Sequence, residues 1–183
     1  MAQTQKMDQL HTDDVVSVLR RHHDMIKEMF TEVDKASGAR RDEAFMRLAR
    51  MLCMHEAAEE EVVHPFVRDR VKGGDRIVQA RMREEDDAKV MLTGMMAAGT
   101  DSRSFMADFK RLRSAMLQHI EAEEREEFPR LVKESSDADR RAMAEAIKAA
   151  AQAITLTDPR LGTPDAVMDR TRDVIRQSMG KAM

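Results

Sequence analysis

The chain has 183 residues, with 31 basic and 34 acidic side chains in a mixed distribution and a formal net charge of -3; it is long enough for one domain with a substantial core, or one domain and a short appendage. The charge pattern offers no basic face, which argues against nucleic acid as a partner, and the single cysteine, Cys53, rules out an intramolecular disulfide. No run approaches the ~20 apolar residues of a membrane helix, and the polar start MAQTQKMDQLHTDD lacks a signal-peptide pattern, so the expected location is the cytoplasm. Tryptophan and tyrosine are absent, methionine is abundant at 17, and only seven glycines and four prolines interrupt the chain. That composition favours helices with methionine-filled cores.

The first predicted helix is capped by Thr12 or Asp13 and carries Val15, Val16, Leu19, Ile26, Met29, Phe30 and Val33 at helical spacing until Ser37-Gly38. A second runs from about Asp42 through Phe45, Leu48, Leu52 and Val63 to Gly73-Gly74, with Pro65 expected to kink it or end it early. A third spans Asp75 to about Ala98, and the turn Gly99-Thr100-Asp101-Ser102 supplies caps for a fourth. The fourth extends through Phe105, Phe109, Leu112, Met116 and Ile120 to Leu131, with Pro129 near its end. Short links between long helices force antiparallel neighbours. The fold class is therefore all-α, an antiparallel up-down four-helix bundle with one or two additional C-terminal helices. Residues 12–134 form the bundle in this reading, and residues 135–183 a helical appendage. Within the appendage, Ser135-Ser136-Asp137 caps an alanine-rich helix to about Ile154, and Thr163-Pro164-Asp165 opens the last one. Its expected job is packing on the bundle or on another subunit.

Chemistry is concentrated in two helices. His55 and Glu59 are four residues apart, so both project from one face of the second helix, and His119 and Glu123 repeat this on the fourth. The repeat is longer than the pair: CMHEAAEEEVVHPF and LQHIEAEEREEFPR share a histidine, glutamates four and five residues later, and a proline ten later. Packed antiparallel, the two helices bring imidazoles and carboxylates together inside the bundle, a ligand mixture suited to iron. On the first helix His23 stands on the apolar face, with Ile26, Met29 and Phe30 three, six and seven residues behind it. The third helix has no histidine, but Glu85 precedes Ala88, Met91 and Leu92 at the same offsets, with Asp86 and Asp87 as substitutes if the helix register differs. The candidate metal ligands are thus His23, His55, Glu59, Glu85, His119 and Glu123. Burying several carboxylates in an apolar bundle is costly unless a cation compensates, which itself argues for a metal.

Over roughly residues 12 to 134 these motifs resemble the hemerythrin-like family, the HHE cation-binding domain. His23, His55, Glu59, His119 and Glu123 match the family pattern directly. The resemblance implies two iron ions with an oxo or hydroxo bridge, Glu59 and Glu123 bridging them, and His23, His55 and His119 as terminal ligands. The sequence departs from the family on the third helix, where MREEDDAKVML puts an acid in place of a histidine. An added anionic, harder ligand favours the ferric state and so points away from oxygen carriage, toward chemistry with an oxidant; the alternative is one weak metal position, with a single iron or a different divalent metal bound.

The expected partner is accordingly a small-molecule oxidant, hydrogen peroxide, dioxygen or nitric oxide, with catalase- or peroxidase-like activity favoured. The alternative is a non-enzymatic oxygen, nitric oxide, redox or iron sensor or binding module that signals through the C-terminal helices. No membrane is expected, and a monomer and a homodimer are both compatible with the sequence. Among the remaining candidates, Cys53 is read as a small core residue in preference to a thiol near the metals. His11 and His22 are read as exposed, and His64 as a helix-end surface histidine with a supporting role at the site as the alternative.

Overall fold

The computed structural model of the protein describes residues 14–158 and 160–180. The helices are α1 (Val15–Lys35), α2 (Ala39–Arg70), α3 (Gly74–Ala98), α4 (Phe105–Ala122), α5 (Phe128–Glu134), α6 (Asp137–Ala153) and α7 (Pro164–Gly180), and a π-helical turn, Glu123–Glu127, joins α4 to α5. Helix α1 begins after Asp14, whose carboxylate accepts the backbone N–H of Val16 at 2.9 Å. Asp14 is thus the cap, and Thr12, Asp13 and His11 lie outside the described residues. Gly73 adopts the left-handed conformation that turns α2 into α3. Gly74 follows because a Cβ there would lie 1.9 Å from the Val67 carbonyl oxygen.

The short links produce the up-down arrangement of α1 to α5. Phe30 at the end of α1 meets Phe109 near the start of α4, and Phe45 near the start of α2 meets Phe105 edge-on. Pro65 does not end α2, which continues to Arg70. Packing outweighs the lost N–H because Val62, Val63 and Val67 on either side of the proline are all buried. In α2 every residue from Leu48 to Glu59 is buried, since the helix is covered by α1, α3, α6 and α7.

The last two helices share the bundle's interior. One apolar cluster, around Phe30, Phe45, Phe105 and Phe109, takes in Ile154, Val167 and Met168. A second, around Leu19, Val63, Phe128 and Leu131, takes in Ala144, Ile147 and Ile175. Helix α6 starts with a capping box in which Ser136 and Asp139 satisfy each other's backbone N–H. The connection to α7 is held by buried Arg50, whose guanidinium donates to the carbonyls of Leu161 at 2.8 Å and Leu156 at 2.6 Å. Among the described residues no helix is long and apolar enough to cross a membrane.

Candidate metal centre

Between the two apolar clusters lies a layer of buried acids and histidines contributed by α1, α2, α3, α4 and the π turn. The structure brings together all six residues singled out above and divides them into two groups. His23, His55, Glu59 and Glu123 form one, and Glu85 and His119 join Glu56 in the other; within each group the ligand-type atoms lie within 4.8 Å of one another. Glu123, fully buried, connects the groups, with one carboxylate oxygen 3.2 Å from His23 Nε2 and the other 3.0 Å from His119 Nε2. Glu56 lies 3.4 Å from the same His119 nitrogen. On α3, Asp86 and Asp87 are exposed whereas Glu85 is buried.

Carboxylates at the edge of the layer fix the ring orientations. Glu124 meets His23 Nδ1 at 2.8 Å and Glu84 meets His119 Nδ1 at 2.9 Å, so each ring presents Nε2 inward. Such an acceptor behind a ligating imidazole sets its tautomer and raises its basicity. The inward atoms make no well-aligned hydrogen bond, the close contacts of Glu123 with the two rings included: Nε2 of His23, His55 and His119, both oxygens of Glu56, Glu59 and Glu123, and Oε2 of Glu85. Buried polar atoms of a folded protein are nearly always satisfied. Orphans that converge on two adjacent points therefore fit cations, and a set of imidazoles and carboxylates suits iron.

The titration pattern carries the same message. Burial, then neighbouring His23, hold His55 well below the usual histidine range, leaving a neutral ring with a free lone pair. Burial, then Glu123, push Glu59 well above the usual carboxylate range. For His119, burial pulls down but Glu123 and Glu56 prevail and raise it well above its ordinary value. His23 is raised in the same way, Glu123 and Glu124 outweighing burial. Protons on His23 and His119 thus stand where a cation would neutralise Glu123, and metal binding would expel them.

Two histidines depart from the sequence reading. His64 is buried, because α2 does not end at Pro65; its ring spans Glu85 Oε1 at 2.8 Å and Glu127 Oε1 at 3.1 Å. Burial alone would lower His64, but hydrogen bonds to Glu127 and Glu85 bring it up to about 10. Burial pushes Glu85 up to about 7 against the opposing pull of His64. His22 is also buried, its ring set edge-on to His55 at 5.7 Å, and burial followed by the charge of His23 lowers it to about 4. Cys53 is a core residue as read, burial pushing its thiol up to about 12. Within the repeat, His64 occupies the place that Phe128 takes nine residues after His119. Phe128 stacks on His23 at 5.6 Å, whereas His64 bonds to Glu85. The acid on α3 and the histidine that receives it thus replace an imidazole and the aromatic ring beneath it.

Glu127 enters the layer because of the π turn. In an unbroken α-helix it would lie about 80° round from His119, eight residues on. The extra residue of a π turn leaves it about 20° away, equivalent to seven steps.

The hemerythrin HHE cation-binding domain family matches residues 14–131, and the chain belongs to that family. A DNA nickase from Nostoc sp. is 27% identical over 111 residues, covering 60% of this chain; the chain spans only 31% of the nickase's length. The crystal structure of a hemerythrin HHE cation-binding domain-containing protein from Mycobacterium kansasii superposes with a TM-score of 0.69 at 17% identity. That alignment covers 86% of this chain and 98% of the other, and it establishes a shared fold.

Proposed function

We propose that this chain holds two iron ions in the buried layer and uses them on a small oxidant, with peroxide disproportionation the favoured reaction. The observation that carries this reading is the convergence of unpartnered buried imidazole and carboxylate atoms into two groups joined by Glu123. His23, His55 and Glu59 would hold one ion, Glu56, Glu85 and His119 the other, and Glu123 would touch both. Iron bound there supplies a redox-active Lewis acid that can cycle electrons with peroxide. The chain's own contribution is positioning, charge and exclusion of water. Glu124 and Glu84 aim the two rings, and Glu56, Glu85 and Glu123 make the second position anionic, which favours the ferric state. The absence of tyrosine and tryptophan removes the side chains that most readily pass oxidising equivalents outward.

The test is metal content per chain on freshly purified protein, with a visible spectrum before and after hydrogen peroxide and a parallel oxygen-evolution trace. Close to two irons, ferric bands and rapid oxygen release support the proposal; a chain that binds no iron overturns it. A sensor reading is favoured by one observation: Arg172 and Arg176 of α7 pair with Glu60 and Glu61, the two residues after Glu59, at 2.6 Å each. Slow peroxide chemistry together with metal-dependent protection of α7 from hydrogen exchange would select it.

A further inference from the structure

A cavity of about 180 Å³ opens beside the layer, lined by residues of α2, α3, α4 and α7. Its position is asymmetric. Glu56 and Glu85 of the second group line it, whereas His23, His55, Glu59 and Glu123 of the first do not. The remaining inner wall is apolar, with Cys53, Leu92, Leu112, Met116 and Met168 among its residues, and charged groups, including Glu60, Lys89 and Arg172, complete the lining. Helix α7 provides Met168 and Arg172. It is fastened by Arg172 to Glu60 at 2.6 Å and by Asp165 to Lys89 at 2.6 Å.

The space exceeds what hydrogen peroxide or a diatomic gas requires. A dry cavity of about 150 Å³ lined by apolar side chains accommodates benzene, so this one takes a compact body of similar size. A wall of leucine, methionine and cysteine side chains selects an apolar body. A single polar end is all that the carboxylate-lined part, or a cation held there, would engage. We propose that this pocket binds a small organic molecule with a compact apolar body and one polar terminus, the chemical class of the alkyl hydroperoxides and their alcohols, with α7 as its outer wall. This rests on the oxidant reading for its chemistry, but the binding itself does not require iron. The C-terminal helix is then part of the ligand site.

The test uses tert-butanol, the unreactive alcohol of this class, titrated into the full chain carrying 13C-methyl methionine, in metal-free and zinc-loaded forms. Saturable shifts are expected at Met116 and Met168, with dissociation constants on the order of millimolar for so small a ligand, and none at Met25 and Met179, which are exposed and do not line the pocket. Met168→Trp, which fills the pocket from α7, should reduce the Met116 shift at least tenfold. Leu92→Phe narrows the pocket from α3 and serves the same purpose should the first variant melt early by circular dichroism. Equal shifts at Met25 and Met179, no saturable shift at Met116 and Met168, or persistence of the Met116 shift in a folded variant would overturn the proposal. Because both forms are iron-free, a negative result here is distinct from a failure to bind iron or turn over peroxide.

Discussion

A side chain retained for metal binding should harm the fold that lacks the metal, and Glu59 allows the point to be measured. Its carboxyl is 1% exposed and, apart from the neighbouring carboxyl of Glu123, which adds to the penalty of burial, neither oxygen finds a partner. Glu59→Leu replaces it with an apolar side chain of similar volume. An unsatisfied buried polar group costs about 1–3 kcal/mol, so the metal-free variant should be more stable than the metal-free parent by about that amount. For a chain of this size roughly 2–4 °C accompanies each kcal/mol, giving a rise in melting temperature of about 2–12 °C. The iron-loaded comparison should run the other way. Loss of a ligand lowers iron affinity, and a hundredfold loss removes about 2.7 kcal/mol of metal-linked stabilisation. The assay is thermal unfolding of chelator-treated and iron-loaded protein, parent and variant, with metal content determined on each sample. A variant that melts earlier than the parent without metal, yet binds iron undiminished, would show that Glu59 is a structural acid and refute the reasoning.

Removing the acceptors behind the rings should loosen the metals without emptying the site. Glu124→Ala and Glu84→Ala are each expected to weaken metal affinity by about 10- to 100-fold in competition with a chelator, with stoichiometry at saturation unchanged. Gly74→Ala places a methyl 1.9 Å from the Val67 carbonyl oxygen and should cost about 2 kcal/mol or more, read as a lower denaturant midpoint. Arg50→Met removes the hydrogen bonds to Leu156 and Leu161, each about 1.5–3 kcal/mol for a charged donor. Faster amide exchange in the α6–α7 connection is expected, along with a loss of global stability.

The bundle was legible because its signals are local. Apolar spacing, caps and the glycines at the turns act within a few residues, and the break at Gly73-Gly74 falls where the sequence puts it. The repeat around His55 and His119 likewise exposed four residues of the layer, His55, Glu59, His119 and Glu123. The same repeat concealed Glu56, because its counterpart is Ile120, a core residue. Consecutive positions on a helix lie about 100° apart, so His55 and Glu56 turn to different groups, which becomes visible only when α1 and α3 are both in place. Glu124 had a signal, the glutamate five residues after each histidine, but its counterpart Glu60 pairs with Arg172 instead. His64 was misjudged because a proline after a histidine reads as a helix end, whereas tertiary packing carries α2 past it. The π turn that delivers Glu127 has no counterpart in the periodicity of EEREE, and the burial of α2 by α7 is a long-range contact that spacing does not encode.

The two apolar clusters do not merge across the layer of acids and histidines. Each is a separate cohesive unit, and the layer is the joint between them. In the metal-free chain the joint is held by imidazole–carboxylate contacts such as those of Glu123 with His23 and His119, so the two ends are coupled through it and through the continuity of the long helices. A cation held across the joint would act as a rivet. It would bind the two ends into one cooperative unit, and metal occupancy would then govern whether the molecule unfolds in one step or opens first at one end.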